Sequence, residues 1–541
     1  MLNRGSGFCG RQAMFGLLHP SIFVCIATLG ACSSDDVGAP QSSSSALLHS
    51  PVTGAPPTNV DWQSETALSV QTFPASKVVT AAFNDDTNNG AFVIYDPLNR
   101  TILPGASHMG WAVSDTSGQT FYYGGKVSAP TGWPVLWGDP AITSSRSNQN
   151  YVYLSSLAVP QGKFPPGNIQ GTILTGSAPG LGGSYLGGAC IARSTDAGHT
   201  FAPVTPSDCV QSTDGVPAGD FYDGGSMESD NSNGVYASFV DWTTTTIDVW
   251  HATTLTGAFA RMPTPFPGIQ VGSHPRLVFE PSFGRLYVMA LGNPSHNVEM
   301  DVESTLWITY WGGPADPPGW STPTALAADS LTNPTITFAP TSLTVRTAYQ
   351  FSFATAQPSV NNDDGIRVAY TTKVPGHNRV IHTVRCPWPA PGTPVAGCHA
   401  TPEWSGDPFP GDQWNPLVRA QYGFGTPGGS GSIQPEFMLS YTTTMASDRP
   451  GSVGWAFGPL GVTSGGVRVT FVPQIPYSNY AACPSNQGYW CDYDDMQVLT
   501  VGIPSNSFHT FIRMHTDSSA GCTTQWNWAS WSQHVSAITY P

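Results

Sequence analysis

The chain is built from short apolar runs in which hydrophobic character recurs at every second position. Val78-Val79-Thr80-Ala81-Ala82-Phe83, Val235-Tyr236-Ala237-Ser238-Phe239-Val240, Arg285-Leu286-Tyr287-Val288-Met289-Ala290 and Ile366-Arg367-Val368-Ala369-Tyr370 are examples. Each run is bounded by Gly, Pro, Asn or Asp. A period of two is that of a β-strand, and the bounding residues are those that turns require. No amphipathic helix of more than a few turns can be read anywhere. The pattern predicts an all-β protein.

A polar marker precedes many of the runs. Gly138-Asp139-Pro140 stands before Tyr151-Val152-Tyr153-Leu154, and Gly219-Asp220-Phe221-Tyr222 before Gly234-Val235-Tyr236. Ser273-His274-Pro275-Arg276 stands before Arg285-Leu286-Tyr287. Gly411-Asp412-Gln413-Trp414 stands before Phe437-Met438-Leu439, and Cys491-Asp492-Tyr493-Asp494 before Phe508-His509-Thr510-Phe511. With two unmarked units added, repeats start near 77, 139, 220, 274, 345, 412 and 492. That gives seven units, or six if one is an insertion.

Composition sharpens this reading. Only 10% of the 541 residues are charged, against about a quarter in an average domain. Gly (58) and Pro (49) are abundant, and 11% of the chain is aromatic, which argues against disorder. The net charge of −15 disfavours nucleic acid as a partner.

Ser194-Thr195-Asp196-Ala197-Gly198-His199-Thr200-Phe201 fits the Asp-box pattern S-x-D-x-G-x-T-(W/F). Ser114-Asp115-Thr116-Ser117-Gly118-Gln119-Thr120-Phe121 is a second copy, with Thr116 where Asp is expected. On these two segments the chain resembles the sialidase/BNR-repeat superfamily. The resemblance implies a single β-propeller of seven (alternatively six) four-stranded blades over 59–541. A two-domain β-sandwich is the other architecture the strand pattern allows. The resemblance also implies that Ser194, Asp196, Gly198, Thr200 and Phe201 hold a peripheral turn and do no chemistry.

Residues 1–31 read as an export signal. Arg4 and Arg11 precede an apolar stretch ending in Leu29-Gly30-Ala31-Cys32, which resembles the lipobox of bacterial lipoproteins. That likeness implies lipidation at Cys32, a cell-envelope or extracellular location, and contact with a membrane through the anchor alone. Residues 32–58, rich in Ser and Pro, read as a tether. Export permits disulfides, and 190/209, 386/398 and 483/491 are plausible local pairs, with Cys522 left over.

If the markers share a register, Asp139, Asp220, His274, Asp412 and Asp492 converge at one mouth of a central channel. Arg276, Tyr222, Trp137, Trp414, Tyr493 and Asp494 then lie nearby. Clustered carboxylates raise one another's proton affinity, which suits acid/base work on a glycosidic bond. Asp139, Asp220, Asp412, Asp492 and Tyr493 are the catalytic candidates on this reading, and the other six would bind substrate. The same ring could hold Ca²⁺, although no cofactor is required. Alternatively each Asp caps its own strand. Sialidases use a Tyr nucleophile and three arginines. Arg193, Arg276, Arg285, Arg367 and Arg419 are available here, but no motif assigns them, and Arg193 and Arg285 sit in strands where packing or surface pairing is expected. The sequence therefore points to an exported monomer that acts on carbohydrate or a cell-surface glycan, by glycoside hydrolase or lyase chemistry. The alternative is a propeller that binds glycan or protein without catalysis.

Overall fold

A computed structural model describes residues 48–53, 63–74, 76–85, 95–96, 101–102, 106–118, 120–133, 135–159, 187–211, 222–271, 275–292, 304–329, 335–338, 343–346, 351–355, 365–373, 379–400, 413–421, 436–444, 452–460, 470–476, 487–489, 495–500, 509–518 and 531–540. These residues form strands throughout, with one 3₁₀ turn at Pro206–Asp208 and no α-helix among them.

The strands assemble into antiparallel sheets in chain order. Four sheets have four strands each, and each opens with a strand called here its lead strand: Tyr222–Ser229, Arg276–Glu280, Phe351–Thr355 and Gln413–Gln421. Another sheet opens with Val135–Ser144 and gains Ala106–Ser107 as a parallel partner. An eight-stranded assembly holds both chain ends. One half of it opens with Gln63–Thr72 and the other with Asp495–Thr500.

In that assembly Leu48–Thr53 pairs antiparallel with Trp531–Tyr540 and touches Phe121 and Tyr122 in parallel. This strand falls within the segment whose composition reads as a tether. Its partner lies at the far end of the chain, so no local pattern announces it. The expected unit start near 77 is likewise a second strand, Lys77–Asp85, and the lead strand is the more polar Gln63–Thr72 before it. The starts expected near 139, 220, 274, 345, 412 and 492 fall in or shortly before lead strands.

Period two explains the packing. In Val152–Val159, Val152 and Leu154 join a cluster with Ala82, Met109 and Trp111 of the preceding sheet. Tyr153 and Leu157 point the other way, toward Tyr222 and Phe239 of the next. Tyr236 and Val240 continue the alternation toward Leu277, Leu286 and Val288. Tyr287 and Met289 then face Phe351 and Val368. Both faces of these strands are covered, which is why they read as near-continuous apolar runs. Each fully buried aromatic or aliphatic side chain contributes about 1.5–3 kcal/mol. Among the described residues, the seven lead strands pack side by side in chain order, and Asp495–Thr500 packs against Gln63–Thr72.

Two local devices hold outer strands. Cys190–Cys209 and Cys386–Cys398 are disulfides, each tying the third strand of a sheet to its outer edge; 483 and 491 lie outside the described residues. The turn after Gly188–Ser194 is closed by side chains. The Ser194 hydroxyl accepts from the Gly198 amide (2.9 Å) and donates to Asp196 (2.7 Å), and Asp196 accepts from the Thr200 amide (2.9 Å) and hydroxyl (2.6 Å). Gly198 has φ +89°, which glycine adopts without strain. Phe201 packs edge-on to Trp111. In the first sheet Thr116 takes the part of Asp196, its hydroxyl meeting the Thr120 amide and hydroxyl at 2.8 Å each.

Candidate functional site

The lead strands surround a cavity of about 370 Å³. All seven contribute to its wall, and the wall is polar. Ser69 and Thr72 come from the first strand, Thr143 and Ser144 from the second, Ser226, Glu228 and Ser229 from the third, and Arg276 from the fourth. Ser352 and Thr355, then Arg419, then Asp495 and Gln497 complete the circuit; Arg146 and Gln149 enter from the turn after the second strand.

Side chains stitch neighbouring lead strands together. The Leu277 amide donates to the Ser226 hydroxyl (3.0 Å) and the Val418 amide to Ser352 (3.0 Å). Asp495 closes the circuit. One of its oxygens accepts from the Leu68 amide of the first strand (2.8 Å), and the other from the guanidinium of Arg419 of the sixth.

A second ion pair joins the turn after the second lead strand to the neighbouring third lead strand in the cavity wall. The Arg146 guanidinium donates to Glu228 Oε2 (3.2 Å) and to the Ser229 carbonyl (2.9 Å), and lies over the Phe279 ring of the fourth lead strand. Burial pushes the Glu228 carboxyl above its ordinary range; Arg146 and Arg419 oppose that rise without cancelling it. Among the described residues, the cavity wall thus carries three arginines and two acidic residues beside hydroxyls and amides. Such a wall can both donate to and accept from a hydroxyl-rich ligand. Glu228, whose carboxyl keeps its proton to a higher pH than usual, can serve as a proton donor. Among the described residues no group of three or more His, Cys, Asp or Glu is placed to hold a metal ion. No helix among them is long and apolar enough to cross a membrane.

The residues expected from sequence are dispersed. Arg276 lines the cavity. Asp139 lies in the second lead strand, half-buried, with φ +50°, and its amide donates to the Asn84 side chain (2.8 Å). It is not part of the cavity wall. Tyr222 is buried between the second and third sheets. Its hydroxyl donates to Asp248 (2.7 Å) and accepts from Trp250 (3.2 Å), and burial pushes it far above the usual phenol range. Trp137 and Trp414 fall in lead strands, but their side chains lie outside the description. Asp220, His274, Asp412, Asp492, Tyr493, Asp494 and Cys32 lie outside the described residues. Of the other arginines, Arg285 is buried in a pair with Asp316 rather than on the surface, and Arg193 pairs with Asp208 (3.4 Å).

Arg146, Glu228 and Asp495 carry the cavity's chemistry without having been singled out. Glu228 and Asp495 lie in strands, but so do Asp223, Asp241 and Asp248, so no local signal sets them apart. Arg146 lies in a turn, and nothing in its neighbours distinguishes it.

No protein-family model matches the chain, and no curated protein matches it. Solved structures resemble it weakly. An α-L-arabinanase from Penicillium chrysogenum is 11% identical, with TM-score 0.39 over 91% of this chain and 97% of the other. The intramolecular trans-sialidase of Ruminococcus gnavus is 10% identical, with TM-score 0.38 over 70% and 90%. The six-bladed β-propeller lectin of Aleuria aurantia is 9% identical, with TM-score 0.33 over 78% and 98%.

Proposed function

We propose that the chain is a seven-bladed β-propeller, exported and anchored by a lipid on Cys32, that acts on carbohydrate in its axial cavity. The blade count rests on the seven lead strands, each packed on the next and the last on the first. The observation that carries the functional reading is the cavity itself. Every lead strand supplies polar groups to it, and a half-buried carboxyl with raised proton affinity sits in its wall. Glu228 would protonate the leaving oxygen of a glycosidic bond, in hydrolysis or in elimination from a uronate.

A second reading, binding without turnover, is favoured by one specific feature. Both cavity carboxylates with described partners are engaged by arginines, Glu228 by Arg146 and Asp495 by Arg419.

The test is a panel of neutral and uronate-containing polysaccharides offered to the purified protein. New reducing ends report hydrolysis, and new carbon–carbon double bonds report elimination. Turnover that disappears in Glu228→Gln while binding persists supports the catalytic reading. Binding without turnover in the wild type supports the second, and neither would overturn both. Asp139→Asn, Asp412→Asn and Asp492→Asn, run in parallel, test whether chemistry lies at the strand starts instead. Incorporation of a labelled fatty acid that is lost in Cys32→Ala tests the anchor.

A further inference from the structure

The two acidic residues of the cavity wall are held unequally. Asp495 accepts from the Leu68 amide (2.8 Å), the Met496 amide (2.7 Å), the Gln497 carboxamide (3.4 Å) and the Arg419 guanidinium. Hydrogen bonds to the charged form keep a carboxylate ionised. Glu228 has one side-chain donor among the described residues, Nη2 of Arg146 at 3.2 Å.

Arg146 is anchored from behind. Its amide donates to the Ser229 hydroxyl (3.2 Å) and its Nε to the Ser229 carbonyl (2.9 Å), and the guanidinium lies over the Phe279 ring. These contacts set the plane of the fork. Among the described residues Nη1 has no acceptor, and the side chain, which lines the cavity, is 37% exposed. Nη1 and the second proton of Nη2 are thus the unused donors of the fork.

A guanidinium edge matches the two oxygens of a carboxylate or a sulfate. An oxoanion seated on Nη1 and Nη2 lies within a few ångströms of the Glu228 carboxyl, because both use Nη2. Two negative charges that close in a half-buried wall oppose each other, and the weaker acid takes a proton. The weaker acid is Glu228, on which burial already acts in that direction. The other charges of the described wall are Arg276, Arg419 and Asp495; its first, second and fifth lead strands add no ionisable side chain. Arg276 and Arg419 favour an incoming anion, and Asp495 is already saturated with donors. Tyr236, opposite Glu228 in the sheet, donates its phenol proton to Asp230 (3.3 Å).

We propose that the cavity seats the acidic group of a glycan on Arg146, and that Glu228 takes up one proton from solvent as the glycan binds. The proposal rests on the carbohydrate reading above. No bond in the ligand breaks in this step. The proton donor is loaded only when the ligand is in place.

The experiment titrates oligogalacturonates, their neutral methyl esters and sulfated oligosaccharides into the full chain by calorimetry, from pH 4.5 to 8. Two buffers of different ionisation enthalpy report the protons taken up per ligand bound. The acidic ligand should bind about tenfold or more tightly than its ester, with uptake approaching one proton. Its affinity should fall as pH rises, by at most about tenfold per unit. Whether the carboxylate or the sulfate series behaves so identifies the group. Glu228→Gln should bind the same ligand with no proton uptake and no pH dependence. Arg146→Gln should lose about tenfold or more in affinity for the acidic ligand and nothing for the ester. Acidic-ligand binding without proton uptake, uptake that persists in Glu228→Gln, or binding of neutral ligands alone overturns the proposal while the carbohydrate reading stands. A wild type that binds none of these ligands and none of the polysaccharides above overturns both.

Discussion

Two arginine–carboxylate pairs in this molecule look alike in chemistry and differ in setting. Arg285 and Asp316 meet through two contacts of 2.8 Å, with side chains 1% and 2% exposed. Asp316 also accepts from the Gly313 and Gly392 amides, and Arg285 donates to the Pro389 carbonyl. The guanidinium lies over Phe283 and Tyr310. Every polar atom is matched, and the pair pins the 386–398 disulfide loop to the fourth sheet. Arg146 and Glu228 meet through one contact of 3.2 Å, with side chains 37% and 21% exposed. Burial works to raise both carboxyls. At Asp316 the hydrogen bonds from Arg285, Gly392 and Gly313 overcome it, and the carboxyl falls below its ordinary range. At Glu228 fewer donors are present, and burial wins. A saturated pair is a structural clamp. An undersaturated pair facing a cavity retains capacity for a ligand or a proton.

The largest expected effect breaks the clamp. Asp316→Ala leaves Arg285 buried and unpaired and should cost about 3–5 kcal/mol in denaturant unfolding. A loss below about 1 kcal/mol would mean that the two pairs are equivalent. Next, Glu228→Gln should change stability by less than about 1 kcal/mol, as a partly exposed pair does. On the catalytic reading proposed above, turnover should fall about 100-fold or more.

The pH dependence should separate the pairs by sign. The Glu228 carboxyl is raised above 4.5, so its contribution to stability is full below pH 4.5 and is lost as pH rises through the raised value. Glu228→Gln should therefore gain on the wild type as pH increases. The Asp316 carboxyl is depressed below 3.8, so its contribution is full above pH 3.8 and is lost as pH falls through the lowered value. The deficit of Asp316→Asn should therefore close on acidification. Tm measured from pH 2 to 7 tests both, and parallel profiles would refute the distinction. The smallest effect is that of salt. Raising salt to 1 M, where the Debye length is about 3 Å, should weaken Arg146–Glu228 coupling by a few tenths of a kcal/mol and leave Arg285–Asp316 unmoved. Double-mutant cycles at two salt concentrations measure this.

Much of the architecture could be read locally. Tyr153, Tyr236 and Tyr287 each sit in runs whose alternation predicted a strand, and each is buried between successive sheets. The pairs 190/209 and 386/398 were plausible from spacing and do form. The cavity was much less legible. Asp139 lies mid-strand outside the cavity wall, whereas Glu228, Arg419 and Asp495 line one cavity because three strands distant in sequence surround it. Arg285 opens a strand and Arg146 follows one, and nothing within several residues of either reveals which is saturated.

The sequence by itself determined the strands and their turns. These follow from side-chain period and from residues such as Gly198 that suit particular backbone angles. Only the tertiary structure decided that Leu48–Thr53 completes a sheet with Trp531–Tyr540, and that Asp495 joins Leu68 and Arg419. It also decided that Glu228 faces a cavity while Tyr222 is enclosed. Strand formation depends on neighbours a few residues away. Pairing, desolvation and the proton affinity of a carboxyl depend on whatever lies within a few ångströms, and in a closed circuit of sheets that is set by the whole chain.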